Sequence, residues 1–366
     1  MIRVLVVDDS ALVRRVLSEE LSRFKDIEVV GTAMDPYVAR ERIVELEPDV
    51  LTLDIEMPKM DGLSFLSKLM KHHPIPVVVV SSLAPENSET ALRALRLGAV
   101  EVVPKPGSQY TVPDVGRHLV RAVRAAAAAQ VTRSAPATPG AHDVQAADLA
   151  ATINTTHKVI GIGASTGGTQ AIEKLLSGLP PNSPGIAVVQ HMPAGFTASF
   201  SERLDQICPM AVREAKDGDR LVPGLALVAP GGHHLMVHRS GALYVARVKS
   251  GPPVNRHKPS VDVLFDSLAR DVGSNALGVL LTGMGADGAR GLLQMREAGA
   301  WTIAQDEASS VVWGMPRAAV ELEAACQVLP LTRIPAALQQ HLERGTHAPR
   351  AVGSPGSKAT FATAHS

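Results

Sequence analysis

The stretch GIGASTGG, residues 161–168, follows the apolar pair Val159-Ile160 and precedes a helix-like segment. Gly-rich turns between a strand and a helix commonly cradle a phosphate on backbone N–H groups. The same letters contain G-x-S-x-G, from Gly163 to Gly167, where small neighbours allow a tight turn that lifts a serine hydroxyl. The two readings require different partners. A dinucleotide site needs a third glycine, where Thr166 stands, and an acidic residue ending the next strand. That strand, IAVVQH, ends in His191. A P-loop needs Lys-Ser or Lys-Thr after the glycines, which this stretch lacks. Ser165 is therefore read as a nucleophile.

Its partners follow from the same rhythm of strands and turns. His191 stands at the carboxyl end of the second strand, in VVQHMP, and Asp287 follows a third in LLTGMGADG. One sheet edge then holds a nucleophile, a base and an orienting acid. Backbone N–H groups at the Gly-rich turns, that of Met284 among them, are candidates to hold an oxyanion. Each residue also has a plainer reading: His191 as a loop hydrogen-bonder, Asp287 before Gly288 as a helix N-cap. The chain order Ser, His, Asp differs from the Ser, Asp, His order of α/β-hydrolases, so that fold is not expected.

Other candidates read as structural. His233 and His234 are adjacent in a predicted hairpin and point to opposite faces, which suits no metal site. Asn255, Arg256, His257 and Lys258 read as a solvated loop before a helix start at PSVDVLF, with an acidic substrate surface as the functional alternative. The Met284 and Met295 side chains read as packing. LVPGLALVAPGGHHLMVHRSGALYVARV, with Pro-Gly, Gly-Gly and Ser-Gly breaks, predicts hairpins.

Upstream, residues 1–106 alternate apolar runs (Val4–Val7, Val50–Leu53, Val77–Val80, Val100–Val103) with helical patterns, the signature of a parallel sheet covered on both faces. Asp35-Pro36 reads as N-cap and first helical residue. Asp8 and Asp9 end the first strand, Asp54 the third and Ser81 the fourth, and Lys105 follows the fifth. Carboxylates gathered at one sheet edge need a cation, and Mg²⁺ suits an all-oxygen site. Asp54 can then attack a phosphoryl group, Lys105 neutralise its charge and Ser81 donate a hydrogen bond to it.

The 366 residues predict two domains. Lys+Arg and Asp+Glu both number 36, so nothing electrostatic favours nucleic acid or an anionic membrane as main partner. Cys208 and Cys326 form no metal or disulfide spacing and read as reduced thiols. MIRVLVVDD lacks a signal-peptide pattern, and no uncharged run approaches bilayer length, so a cytoplasmic protein not inserted in a membrane is expected. The Ala/Pro/Thr/Ser-rich residues 126–157 read as a semi-flexible linker between units at 1–125 and 158–344, and 345–366 as a disordered tail.

VVDDS, LDIEMPKMDG, VVVVSS and PKP resemble the receiver domain of two-component response regulators. The resemblance implies a flavodoxin-like sheet of order 2-1-3-4-5, phosphorylation of Asp54 by a histidine kinase, and Mg²⁺ held by Asp9, Asp54 and the Glu56 carbonyl with Asp8 assisting. It also implies a cis bond at Lys105-Pro106. GIGASTGGTQAI, VVQHMPAGFTASFSERL, APGGHHLMV, KPSVDVLFDSLA and LLTGMGADGARGL resemble the catalytic domain of the chemotaxis methylesterase CheB family. That implies a second, mostly parallel α/β domain with no cofactor for ester hydrolysis. It implies hydrolysis of glutamate γ-methyl esters on chemoreceptors and deamidation of receptor glutamines. It also implies a receiver that covers the active site until phosphorylated, with Ser165, His191, Asp287 and the Met284 amide in the family's roles. The alternatives are a receiver joined to a non-esterase effector (a receptor-binding scaffold or a DNA-binding regulator) or to a nucleotide-dependent oxidoreductase.

Overall fold

The computed structural model describes residues 1–57, 61–82, 85–106, 111–129 and 157–346. The expected linker, apart from its ends, and the expected tail beyond 346 lie outside the described residues.

The first unit alternates β1 (Ile2–Val7), α1 (Ala11–Ser22), β2 (Ile27–Ala33), α2 (Pro36–Leu46), β3 (Val50–Asp54), α3 (Gly62–His72), β4 (Val77–Ser81), α4 (Pro85–Arg96), β5 (Glu101–Pro104) and α5 (Val112–Ala127). Its strands are all parallel, in the order β2-β1-β3-β4-β5. Helices cover both faces, so the central strands VLTLD and VVVVS are buried along their whole length. Asp35 caps α2 by accepting from the N–H of Tyr37 and Val38, with Pro36 at the first position. Helix α5 runs two residues past the expected domain end at 125.

The second unit comprises β6 (Val159–Ala164), α6 (Gly168–Ser177), β7 (Gly185–Gln190), α7 (Phe196–Ile207), β8 (Ala211–Glu214), β9 (Leu225–Val228), β10 (His234–Ser240), β11 (Leu243–Lys249), α8 (Val261–Asp271), β12 (Ala276–Leu280), α9 (Ala289–Glu297), β13 (Trp301–Gln305), α10 (Met315–Glu321), β14 (Gln327–Leu329) and α11 (Ile334–Thr346). Seven parallel strands form one sheet in the order β14-β13-β12-β6-β7-β9-β8. The short edge strands β8 and β14 escaped sequence analysis, because Ala211–Glu214 and Gln327–Leu329 carry no sustained apolar run.

One hairpin forms where several were expected. Ser240-Gly241 turns β10 into antiparallel β11. The Pro223-Gly224 break instead feeds β9 into the main sheet, parallel to β8, and Gly231-Gly232 carries the chain out of it. Apolar Leu225–Val228 gains more from burial within a seven-stranded sheet than from a small ribbon. The cis X-Pro bond among the described residues is Lys258–Pro259, not Lys105–Pro106.

From β6 the chain runs to one side of the sheet through β7, β9 and β8; from β12 it runs to the other through β13 and β14. The crevice between β6 and β12 is thus the switch point, where the carboxyl ends of an open parallel sheet bind ligands. The units meet where α4 packs on α6 and α7, with Leu92, Leu95, Phe196 and Phe200 in one apolar cluster. No helix among the described residues is long and apolar enough to cross a membrane.

Candidate active site

Ser165, His191 and Asp287 follow β6, β7 and β12, three adjacent strands. Their turns are sewn together by backbone bonds: Ser165 N–H donates to the Thr282 carbonyl (3.0 Å), and His191 N–H to the Ala164 carbonyl (3.1 Å). A Cβ on Gly283 would stand 2.7 Å from Ser165 Cβ, so only glycine lets these two turns approach so closely. Gln190 Nε2 donates to the carbonyls of Ser165 (2.8 Å) and His191 (3.2 Å), fastening the serine turn to the histidine's strand end.

Asp287 is buried and fully employed. Its Oδ2 accepts from His191 Nε2 (2.8 Å) and Val261 N–H (2.7 Å). Its Oδ1 accepts from Asn255 Nδ2 (2.7 Å), Ser260 Oγ (2.8 Å) and Asp262 N–H (3.3 Å). Burial alone would raise its pKa, but the His191 bond and charge, with the Asn255 and Val261 bonds, outweigh burial and hold it below the ordinary carboxylate range. The N-cap reading of Asp287 is half right: the carboxylate caps a helix, but that helix is α8, whose first two N–H groups it takes. Ser260, at the N-cap position of α8, spends its hydroxyl on Asp287 instead.

With Nε2 committed to Asp287, His191 presents Nδ1, which is buried without a hydrogen bond, as its free basic face. The aspartate thereby fixes the tautomer in which Nε2 carries the proton. Ser165 and His191 line one cleft together with Gln190, Met192 and Phe196. Met284 lies in the Gly-rich turn, and its N–H donates to no acceptor among the described residues.

The 255–258 run is exposed at Asn255 and Arg256, as a solvated loop requires, but it is an ordered turn whose His257 and Lys258 are half-buried. Val254 and His257 exchange backbone hydrogen bonds across a two-residue turn whose central Asn255 and Arg256 are both left-handed (φ 51° and 67°). Such backbone costs of order 1–3 kcal/mol per non-glycine residue. It places Asn255 between Asp287 and Asp262, and stacks the His257 ring on His191 at 3.7 Å between centroids, 7° from parallel. Burial, then the His191 charge, pushes the His257 pKa down, so this second imidazole is neutral. Asn-Arg is an ordinary turn dipeptide, and only the fold shows what it faces. His234 is buried at the start of β10, bonded to the Pro252 carbonyl and Ser260 N–H, while His233 is exposed, as their expected opposite faces require.

In the first unit Asp8, Asp9 and Asp54 bring carboxylate oxygens within 4.8 Å of one another. Lys105 Nζ stands 2.8 Å from Asp54 Oδ2 and 3.5 Å from Asp8 Oδ2. Burial works to lower the Lys105 pKa, but the Asp54 bond and the charges of Asp54 and Asp8 raise it overall. Asp8 Oδ2 is buried without a hydrogen bond, and burial with the Asp54 charge pushes the Asp8 carboxyl up to about 6. An all-oxygen donor set with an unsatisfied buried oxygen fits a hard divalent cation. Glu56 lies beside the group; its N–H donates to Asp54 Oδ1 and its Oε1 accepts from Ser82 Oγ. Ser81 is buried at the end of β4, its hydroxyl directed to the Ser82 carbonyl.

Family models agree with this division. "Response regulator receiver domain" matches residues 4–114, and "CheB methylesterase" matches residues 160–338. A Protein-glutamate methylesterase/protein-glutamine glutaminase 2 from Syntrophus aciditrophicus is 53% identical, over 91% of this chain and 97% of its own length. A second relative of that name, numbered 4, from Anaeromyxobacter dehalogenans is 56% identical, over 91% of this chain and 93% of its own. The solved catalytic domain of Thermotoga maritima CheB methylesterase is 38% identical, covering 50% of this chain and 98% of that one, with a TM-score of 0.49. The chain belongs to the CheB methylesterase family, as a member that carries a response-regulator receiver ahead of its methylesterase domain.

Proposed function

We propose that this protein is a phosphorylation-activated serine esterase that removes methyl groups from glutamate γ-methyl esters of chemoreceptors and deamidates receptor glutamines. The observation that carries the reading is the buried His191–Asp287 pair beside Ser165, with Nδ1 of His191 free to act as base. Nδ1 takes the Ser165 proton as Oγ attacks the γ-carbonyl carbon, and the Met284 N–H stabilises the oxyanion. The same Nδ1–H then protonates the departing methoxide to methanol, or the departing amine to ammonia. Water, activated in turn by His191, frees Ser165 and leaves a glutamate. These steps use side chains and backbone alone.

The receiver runs from residue 1 through the end of α5, and the esterase from residue 158 through α11. Asp54 accepts a phosphoryl group from a histidine kinase, with Ser81 and Lys105 contacting the phosphoryl oxygens. Asp8, Asp9, Asp54 and the Glu56 carbonyl would hold Mg²⁺, whose charge offsets that of the incoming phosphoryl group. The setting is cytoplasmic. The contacts of α4 and β5 with the cleft support a receiver that blocks access until phosphorylated.

The test is methanol release from methyl-esterified receptor membranes. A small phosphodonor with Mg²⁺ should raise wild-type release at least several-fold, and Asp54→Asn should abolish the rise. Absence of release from the phosphorylated protein would overturn the esterase reading.

Mg²⁺ binding should depend on pH through Asp8. A carboxyl with a pKa of about 6 is ionised above that pH and binds metal without proton competition; below it, affinity falls up to tenfold per unit. Calorimetric titration should give equal affinities at pH 7 and 8 and about tenfold weaker binding at pH 5. Equal affinity at all three would remove Asp8 from the metal site.

A further inference from the structure

Thr166 follows Ser165 in the chain, is buried, and donates its hydroxyl to Glu101 Oε2 at 2.8 Å. Glu101 is the first residue of β5, so this bond crosses from the esterase to the receiver. The cleft they share has Ser165, Gln190, His191, Met192 and Phe196 on one wall. Leu92, Leu95, Val100 and Val102 of the receiver surround Glu101 on the other. The receiver thus places beside Ser165 a glutamyl side chain set in an apolar surface. The reaction proposed above consumes a glutamyl side chain and leaves a glutamate.

We infer that Glu101 stands in for the product glutamate while the domains are docked, and that the Thr166 hydroxyl reads the substrate's glutamyl side chain once the receiver moves away. The inference rests on the proposed esterase activity. When Glu101 leaves, the cleft opens to solvent and the Thr166 hydroxyl, bonded to water, is available to a new acceptor. The ester or amide oxygen of the substrate supplies one in the same place. Receiver and substrate therefore compete for one donor, which links inhibition to recognition. Gln170 adds a less selective contact, since its Nε2 donates to the Leu95 carbonyl, a backbone oxygen that any peptide segment offers. Leu92 and Leu95, one helical turn apart on α4, fill the apolar wall around this contact.

The test uses the full-length protein as wild type, Glu101→Ala, Thr166→Val and Thr166→Ser, each with and without phosphodonor and Mg²⁺. Methanol release from methyl-esterified receptor membranes gives kcat and KM, and hydrogen exchange of the α4 amides reports docking independently of activity. Glu101→Ala should raise the unphosphorylated rate about tenfold, the effect of losing one charge-assisted hydrogen bond, and speed α4 exchange. Its phosphorylated rate should be unchanged. Thr166→Val should raise KM of the phosphorylated enzyme about tenfold with a smaller change in kcat, and Thr166→Ser should restore it. An unchanged phosphorylated KM in Thr166→Val overturns substrate reading, as does a Glu101→Ala variant with wild-type rate and exchange for the stand-in role. No methanol from phosphorylated wild type sinks the esterase reading and this inference together; release with unaltered variants sinks the inference alone.

Discussion

Ser165→Ala should lower kcat for methanol release by about 10⁴- to 10⁶-fold, the usual consequence of deleting the nucleophile from a unit that acts together. The fold should survive. Ser165 is fixed through its backbone: its N–H on the Thr282 carbonyl, its own carbonyl accepting from Gln190 Nε2 and Gly168 N–H. None of these bonds involves the hydroxyl, and alanine fits the space that Gly283 leaves beside Cβ. The unfolding midpoint should therefore shift by no more than a few degrees, equivalent to about 1 kcal/mol. The phosphodonor should still label Asp54, since the receiver site is built separately. A folded Ser165→Ala protein that releases methanol at the wild-type rate would remove Ser165 from the chemistry.

Asp287→Asn should act on both catalysis and stability. The carboxylate fixes the proton on His191 Nε2, and an amide in its place favours the wrong tautomer, for a loss in kcat of about 10⁴. The stability effect arises because every neighbour of Asp287 is a donor. Three donors meet Oδ1 and two meet Oδ2, so either amide orientation turns an NH₂ group against N–H or O–H partners. The expected cost is about 3 kcal/mol by urea denaturation at pH 7, concentrated on the N-terminus of α8. The sign with pH follows from the depressed carboxyl of the folded state. Its contribution is complete above the unfolded value of about 4 and fades as pH falls toward the lower folded one. Wild type and variant should thus converge in stability below about pH 4. A variant as stable as wild type at pH 7 would mean that the five bonds are not worth their count.

How much of this was legible beforehand varies by residue. Asp8, Asp9, Asp54, Ser81 and Lys105 could be read because each ends or follows an apolar strand, and parallel strands bring such ends to one edge. The same logic carried Ser165, His191 and Asp287, since β12, β6 and β7 are neighbours in the sheet. It failed for Asn255 and His257, which sit in a polar turn with no periodicity. Their partners are 32 and 66 residues away in the chain, Asp287 for Asn255 and His191 for His257. The hairpin expectation at Pro223-Gly224 failed for a related reason: a turn signal marks where a strand begins, not which neighbour it will pair with.

Sequence alone determined the two α/β units and the residues at their strand ends, because burial period and turn chemistry are local properties of the chain. Only the tertiary structure decided which imidazole nitrogen meets Asp287, which helix Asp287 caps, and that Glu101 meets Thr166. Those depend on hydrogen bonds between segments far apart in the chain, whose geometry is set by how the sheets and helices pack.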